Sequence, residues 1–434
     1  MSHTEYPTTP GFFEGLLLAI AGVPDAFVLH DSPGCILEKA DKVGAKHDLR
    51  STLLESNGRH RWLSSELNDR DLVFGTEKSL RGAVLQIARS VRPGVLLLSQ
   101  SAIAVVAGTD ADAIARDLED ETGLAIATVR SAPLSGCHLD GFANAAEALA
   151  RNVELRAGEP VAGSVAVIGF PLTRLEADDE ANLAELARTC EALGLTPASV
   201  WFDGDTSASL SRVARAEHLL ALPYARGAAG VLGARLGRPV LPVELPIGLG
   251  GTEQWVRSLG EATGRSSEAE AFIARELDLA VPRLEWAIPR GLLHRSVAIV
   301  ADPHLAPGLV SFAAELGLRV RLVGLHARDR QAAAQVERAL AAVGQAAPVL
   351  VDPSFPELER RWAELHARGE LDLVIGTSNE RDAAKALRVP YLELGYPSLT
   401  RHALTPSPTW GFRGALWLAD AMFNLIAAAE HGAY

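Results

Sequence analysis

Short apolar runs recur along the whole chain and alternate with longer segments rich in Ala and Leu. The runs are nearly continuous in Val, Ile and Leu, which is typical of strands buried on both faces of a parallel sheet covered by helices. This alternation predicts an α/β fold built from doubly wound, Rossmann-like parallel sheets. The predicted strands are residues 26–30, 94–99, 125–129, 164–170, 198–202, 218–223, 239–243, 296–302, 319–325, 348–352, 371–377 and 389–394.

The length of the chain predicts more than one domain, because 434 residues exceed the size at which a single core usually stops growing. Two segments that contain Pro and Gly, 156–164 and 281–296, each end a helical stretch and precede a new strand. We interpret both segments as loops between domains. They predict three Rossmann-like domains of similar size, at residues 1–158, 159–290 and 291–434.

The composition excludes several classes of protein. Hydrophobic residues make up 48% of the chain and charged residues 22%, which is typical of a folded chain and not of a disordered one. A formal net charge of −13 argues against nucleic acid and anionic membranes as partners, since both attract basic surfaces. No apolar stretch is long enough to span a membrane, and no basic leader precedes an apolar core at the start. With 3 cysteines that show no paired spacing, we expect a soluble protein of the cytoplasm.

The first candidate site residue is Cys35, in the sequence HDSPGC (30–35). It follows the first predicted strand, and ligands of open α/β sheets bind at the carboxyl ends of strands. Pro33 and Gly34 turn the chain into a predicted helix, whose N-terminal dipole would favour a thiolate. The alternative is a buried cysteine that acts as a small apolar side chain, and the residues alone leave both interpretations open.

Cys137 occupies an equivalent position in the sequence SAPLSGC (131–137), after another predicted strand. Gly136 turns the chain there, and the next helix is predicted to begin at about Gly141. Two cysteines in equivalent loops can face a shared iron–sulfur cluster, whose iron atoms bind thiolates. Two thiolates are too few for a four-iron cluster, so the missing ligands would come from another chain. The remaining cysteine, Cys190, lies in the middle of a predicted helix and is expected to be core.

Five segments resemble the nitrogenase component 1 family. This family comprises the molybdenum–iron protein subunits, the cofactor-assembly scaffold pair, and the dark-operative protochlorophyllide and chlorophyllide reductases. The first segment, LHDSPGC, is similar to the family's H-G-x-x-G-C loop, and SGCHLDGF, within the fourth, is most similar to the β-type subunits, especially the smaller scaffold chain. The five segments are residues 29–35, 71–84, 98–114, 134–149 and 394–424.

The resemblance implies three stacked Rossmann-like domains and an iron–sulfur cluster, of the [4Fe-4S] type, shared at a subunit interface. Carried over residue by residue, it implies Cys35 and Cys137 as metal ligands, with Gly34, Ser101 and Gly136 in the loops that contact the cofactor. It also implies two partners. One is a homologous α-type subunit or a second copy of this chain, and the other is an ATP-dependent iron protein that donates electrons.

The chain departs from the family pattern at several positions. Asp31 replaces a glycine, Ser101 occupies the position of a cluster cysteine, and the segment 6–11 lacks the first cysteine. Three functions therefore stay open: a subunit of a nitrogenase-like oxidoreductase, a scaffold for cofactor assembly, and a homodimeric reductase of the tetrapyrrole type. The sequence contains no G-x-x-x-x-G-K-[ST] loop, so we expect ATP hydrolysis to reside in the iron protein.

Overall fold

The structure is a computed structural model that describes residues 8–38, 47–50, 53, 60–132, 134–155, 159–171 and 174–432. Every strand pair within its three sheets is parallel, which confirms the predicted α/β class. The strands are β1 Ala26–Asp31, β2 Trp62–Ser64, β3 Val95–Gln100, β4 Ile126–Thr128, β5 Ser164–Ile168, β6 Thr196–Val200, β7 His218–Ala221, β8 Val240–Pro242, β9 Ser296–Ala301, β10 Arg319–Leu325, β11 Val349–Val351, β12 Leu373–Gly376 and β13 Tyr391–Glu393.

Helices connect nearly all of these strands, as parallel pairing requires. Short 3₁₀ helices occur at Gly34–Leu37, Ser211–Arg215 and Pro223–Ala225. The α-helices are α1 Phe12–Ala21, α2 Asp69–Phe74, α3 Glu77–Ser90, α4 Ala102–Val106, α5 Ala111–Thr122, α6 His138–Asn152, α7 Ala177–Ala192, α8 Ser207–Leu210, α9 Arg226–Leu236, α10 Gly248–Thr263, α11 Ser266–Ala287, α12 Ala306–Glu315, α13 Ala332–Ala342, α14 Phe355–Ala367, α15 Arg381–Ala386 and α16 Gly411–Glu430. Across these described ranges, no helix is both long enough and apolar enough to cross a membrane.

The chain forms two compact units. The two-sheet unit comprises Gly11–Leu175 and Thr196–Pro242, and its sheets have the strand orders β2-β1-β3-β4 and β6-β5-β7-β8. The one-sheet unit comprises Met1–Pro10, Glu176–Leu195 and Val243–Tyr434, with the order β11-β10-β9-β12-β13. Each sheet lies within one of the three predicted domains. The three-domain division itself stays a prediction.

Two sequence-based expectations about local structure were wrong. Strand β2 was not expected, because Trp62–Ser64 is too short to show a periodic pattern. The segment 281–296 is not a loop: α11 passes through Pro282 to Ala287, and a π-helix extends over Ile288–Leu292. Leu284 is buried on α11, so packing outweighs the cost of an interior proline. Of the other predicted loop, 156–164, residues 156–158 lie outside the described ranges.

Helices α1 and α6 approach each other closely because two glycines lie at their crossing. A Cβ atom on Gly15 would be 1.9 Å from the carbonyl oxygen of His138, and one on Gly141 would be 2.0 Å from that of Phe12. These distances are far below van der Waals contact, so any other residue would force the helices apart. The crossing holds the start of α6 against α1.

In the one-sheet unit, Glu393 at the end of β13 ties two loops together. Its Oε1 accepts hydrogen bonds from the Ser378 hydroxyl at 2.7 Å, the Ser398 hydroxyl at 2.8 Å and the Thr400 N–H at 3.0 Å. Burial acts to raise the pKa of Glu393, but the hydrogen bonds from Ser378, Thr400 and Ser398 outweigh it and lower the pKa from 4.5 to about 2.

We expect Gly141→Ala to destabilise the protein by about 1–3 kcal/mol, because the added methyl group collides with the backbone of α1. The matched control is Gly82→Ala in α3, where an added Cβ meets nothing within 4 Å. This control should stabilise the protein by about 0.4–1 kcal/mol through the entropy of the unfolded chain. Urea denaturation measures both changes, and an equal effect of the two substitutions would contradict the close helix crossing.

We expect Glu393→Gln to lower the free energy of unfolding above pH 5 and to have progressively less effect toward pH 2. The reason is linkage: the pKa of Glu393 is lower in the folded chain, so the carboxylate stabilises the fold above the unfolded value of 4.5 and loses that contribution as pH falls toward 2. Denaturation curves at several pH values test this. Glu337→Gln, which removes an exposed carboxylate of α13, controls for the loss of one charge.

Candidate functional site

The predicted site residues follow the strands of the first sheet, β2-β1-β3-β4. Because these strands are parallel, their carboxyl ends meet at one edge, which we call the carboxyl edge. Cys35 follows β1, Ser101 follows β3, and Cys137 follows β4. Strand β3 lies between β1 and β4 in the sheet. The fold therefore brings all three segments to the same edge, as the sequence predicts.

Cys35 lies in the 3₁₀ helix Gly34–Leu37, and it is exposed. A Cβ on Gly34 would meet no atom of the described residues within 4 Å, so these residues leave open space beside the turn. The sequence predicted that a helix dipole would favour a thiolate at Cys35. The described residues contain only a 3₁₀ helix of 4 residues at this point, and residues 39–46 lie outside the described ranges, so that expectation stays a prediction. The exposure of Cys35 resolves the choice left open by the sequence: it is not a core side chain.

Cys137 is buried at the N-cap of α6, which begins at His138 and not near Gly141 as expected. Its N–H donates to the Asp140 carboxylate at 2.7 Å. Burial first, and then the negative charge of Asp140, raise the pKa of the Cys137 thiol to about 11. Gly136 is required beside it, since a Cβ there would be 2.8 Å from the Ala132 carbonyl oxygen. At neutral pH this thiol is protonated.

Ser101 is the N-cap of α4 and is almost fully buried. Its hydroxyl accepts a hydrogen bond from the N–H of Ala104 at 3.3 Å, which satisfies one of the free donors at the start of the helix. Its own N–H donates to the carbonyl oxygen of Asp31 at 3.0 Å. Ser101 therefore has a structural role as a helix cap at this edge.

Asp31 connects the loops of the carboxyl edge, a role that the sequence did not predict. Its fully buried carboxylate accepts the Ser65 hydroxyl at 2.6 Å and the Thr76 hydroxyl at 2.9 Å. The hydroxyls of Thr76 and Thr109 are 2.5 Å apart. Burial is the main cause of a raised pKa at Asp31, which these hydrogen bonds partly offset. One carboxylate thus fixes the segments that follow β1, β2, α2 and α4.

His30, the residue before Asp31, is also fully buried. Its ring centroid lies 4.2 Å from that of Phe13 and 5.9 Å from that of Trp62. Burial is the largest cause that lowers its pKa, to about 3, and a hydrogen bond to the backbone of Ser99 acts in the opposite direction. His30 is therefore neutral near pH 7 and packs between Phe13 and Trp62 without adding charge. In the sequence, the only indication that His30 belongs to this site was its position at the end of an apolar strand.

The segments that leave the carboxyl edge carry large apolar side chains in water. Val73 and Phe74 at the end of α2 are 76% and 81% exposed, Val106 in α4 is 84% exposed, and Leu134 before Cys137 is 80% exposed. Groups of exposed apolar side chains on folded proteins mark surfaces that bind other proteins. We call these four residues the apolar rim. They follow strands β2, β3 and β4, close in the chain to the candidate ligands.

The donors at this edge fit part of an iron–sulfur site and not a complete one. Iron–sulfur clusters usually take four thiolates, whereas the edge offers the thiols of Cys35 and Cys137. Cys190, the remaining cysteine, is buried in α7. Among the residues that the structure describes, no group of three or more His, Cys, Asp or Glu side chains could hold a metal ion. Cys35 presents its sulfur at the surface, whereas the sulfur of Cys137 is buried, and either thiol would lose its proton on coordination to a metal.

Comparison with known proteins gives a match along nearly the whole chain. Residues 13–427 match the family model described as nitrogenase component 1 type oxidoreductase. The fold is similar to a solved structure of nitrogenase Cp1 at pH 6.5, with a TM-score of 0.83, 20% identity, and coverage of 99% of this chain and 94% of that chain. At this identity the likeness supports the fold alone.

Several curated relatives in sequence are β chains of nitrogenases. The chain is 31% identical to the vanadium-iron protein beta chain of Trichormus variabilis, over 44% of this chain and 41% of that one. It is 22% identical to the molybdenum-iron protein beta chain of Clostridium pasteurianum, over 82% of this chain and 80% of that one. The chain thus spans less than half the length of the first of these relatives.

We expect iodoacetamide at pH 8 to modify the native chain at Cys35 and to leave Cys137 and Cys190 unmodified. Cys35 is exposed, whereas the other two are 4% and 0% exposed, and burial raises the pKa of Cys137 to about 11 and that of Cys190 to about 12. Peptide mapping by mass spectrometry identifies the alkylated residues, and a urea-denatured sample, in which all of them react, is the control. Modification of Cys137 in the native chain would contradict its burial.

Proposed function

Because the chain belongs to the nitrogenase component 1 type oxidoreductase family, we propose that it is a subunit that holds part of an iron–sulfur cluster at an interface with a second subunit. The observation that carries this proposal is an exposed cysteine, Cys35, at a carboxyl edge surrounded in sequence by the apolar rim. An exposed thiol at the same edge as segments with exposed apolar side chains has the chemistry expected of half a buried cluster site. A partner protein that covers the rim completes the burial.

Two thiolates from this chain are the proposed ligands. Cys35 is the first, since its sulfur is accessible without rearrangement, and Cys137 is the second. Gly34 and Gly136 keep side chains out of both turns, and Asp31 and the Ser101 N-cap hold the adjoining loops. When bound, an iron–sulfur cluster supplies one-electron redox chemistry, with a potential that depends on burial and on hydrogen bonds to its sulfur atoms.

The second subunit is proposed to be a homologous α-type chain, since the curated relatives are β chains. Electrons would come from a separate ATP-dependent iron protein, as the family resemblance implies, and pass through the shared cluster to a bound substrate. The absence of a P-loop motif from the sequence supports a separate ATPase. The net charge of −13 favours a donor with a basic docking surface.

Two further functions have a specific observation in their favour. The sequence SGCHLDGF at 135–142 resembles the smaller scaffold chain, which favours a subunit that holds a maturing cofactor without turnover. Two edge thiols per chain favour a homodimeric reductase, because two copies would supply four thiolates. Purification with the products of neighbouring genes separates them: a scaffold binds iron without consuming reductant, and a homodimer binds iron without a second type of chain.

We expect Cys35→Ala, co-expressed with the partner chain and purified without oxygen, to lose the iron and the paramagnetic signal of the reduced cluster. Removing a thiolate ligand from a shared site leaves the cluster unsupported. Iron analysis and electron paramagnetic resonance provide the measurement. Cys190→Ala is the control, since this cysteine lies in the core of the other compact unit.

Cys137→Ala distinguishes how the ligands are divided between the chains. Loss of iron with both Cys35→Ala and Cys137→Ala indicates two thiolates from this chain. Loss with Cys35→Ala alone indicates one thiolate from this chain and three from the partner. A complex that keeps its full iron content and signal after Cys35→Ala would overturn the ligand assignment.

A further inference from the structure

A charged cavity lies in the one-sheet unit, far along the chain from the candidate ligands. It has a volume of about 250 Å³ and is bounded by β10, the loop before β11, α14 and the segment before β12. Its charged side chains are Arg321, Arg361, Arg368, Glu364 and Glu370. Three guanidinium groups against two carboxylates leave one net positive charge, in a chain whose net charge is −13.

A β-bulge directs Arg321 toward this cavity. Val320 pairs with Val297 and Leu322 pairs with Ala298, so Arg321 is an extra residue between consecutive pairs of β10 and β9. Bulges are rare between parallel strands, and they occur preferentially where a side chain must be re-aimed near a functional site. The Nε–H of Arg321 donates to the Ser296 hydroxyl at 3.2 Å, which orients its guanidinium.

The two carboxylates neutralise the three arginines unequally. Glu370 accepts from Arg368 Nε at 2.9 Å and lies 3.6 Å from a terminal nitrogen of Arg321. Glu364 lies 3.9 Å from the nearest nitrogen of Arg361, beyond hydrogen-bond distance. The Nε of Arg361 is buried and has no hydrogen-bond partner among the described residues. Arg361 is thus the guanidinium with the fewest protein partners of the three, and its side chain is 40% exposed.

We infer that this cavity binds a phosphate group. The Nε of Arg361 has no accessible surface, but its terminal nitrogens are accessible and lie beyond hydrogen-bond distance of Glu364, so an anion in the cavity can accept hydrogen bonds from them. Arginine pairs with phosphate through two parallel hydrogen bonds, and a tetrahedral group has enough oxygens to bridge Arg361 and Arg321. Glu364 and Glu370 already place carboxylate oxygens in the cavity. The remaining guanidinium donors therefore suit phosphate, which carries more charge than a further carboxylate. The volume of about 250 Å³ greatly exceeds the roughly 30 Å³ share of one water molecule.

The phosphate could be free or could belong to a larger molecule. Leu322, Pro348 and Leu365 give the cavity an apolar wall, against which an organic part would pack. The inference does not depend on the proposed iron–sulfur function, because its residues belong to a different compact unit from Cys35 and Cys137. The phosphate site can therefore fail or hold without affecting the cluster assignment.

Isothermal titration of the full chain, in low-salt buffer without phosphate or sulfate, tests the inference. The probes are inorganic phosphate, AMP and adenosine. We expect inorganic phosphate to bind, and Arg361→Gln to weaken its binding at least about tenfold. Tighter binding of AMP than of phosphate would identify a phosphate monoester as the ligand class, and equal binding would identify the free anion. Binding of adenosine as tight as that of AMP would show that the phosphate is not recognised and would overturn the inference.

Arg360→Gln is the matched control. Arg360 is the neighbouring residue on α14, lies 3.4 Å from the same Glu364, and does not line the cavity. We expect this substitution to change phosphate affinity by less than about twofold, because screening by water and salt limits the influence of an exposed charge. No binding by the wild-type chain at millimolar phosphate, or equal losses in Arg360→Gln and Arg361→Gln, would overturn the inference.

Discussion

Parallel pairing of β1 with β2 and β3 is the constraint on which the candidate site depends. A parallel pair requires a crossover connection, so the chain must return to the opposite end of the sheet before each new strand begins. All the loops that follow these strands are thereby gathered at one edge. Within that edge the buried carboxylate of Asp31 accepts two side-chain hydrogen bonds, which fixes the loops relative to one another. The parallel backbone of the sheet and the buried carboxylate of Asp31 together define the site.

The two cysteines of this edge differ because of packing and not because of local sequence. Both follow a glycine at the end of a strand-to-helix loop, and the sequence gives no reason to distinguish them. Helix α1 makes the difference: Gly11 forms an isolated antiparallel bridge with Cys137, and Gly15 lets α1 approach the start of α6. This long-range contact removes Cys137 from water and raises its pKa, while Cys35 stays exposed. A contact between residues so far apart in the chain leaves no periodic pattern in the sequence, so the sequence could not predict it.

Much of the fold could be predicted from the sequence, since buried parallel strands are continuous apolar runs. Strand β10, at Arg319–Leu325, coincides with its predicted range, and the other long strands differ at their ends. Short elements such as β2 carry too few residues for a pattern, and Pro282 gave a false signal because tertiary packing outweighs a local preference. For the site, the sequence predicted which residues share an edge. It did not predict the role of Asp31, which depends on hydroxyl groups from residues distant in the chain.

The apolar rim has a consequence for how a cell must produce this protein. A chain that keeps Phe74 and Val106 in water is prone to associate with other exposed apolar surfaces, including those of partly folded chains. The proposed partner, by covering the rim, would also protect the chain from aggregation and proteolysis. Under the proposed function, the chain and its partner would therefore be needed in matched amounts, and unmatched copies would be short-lived.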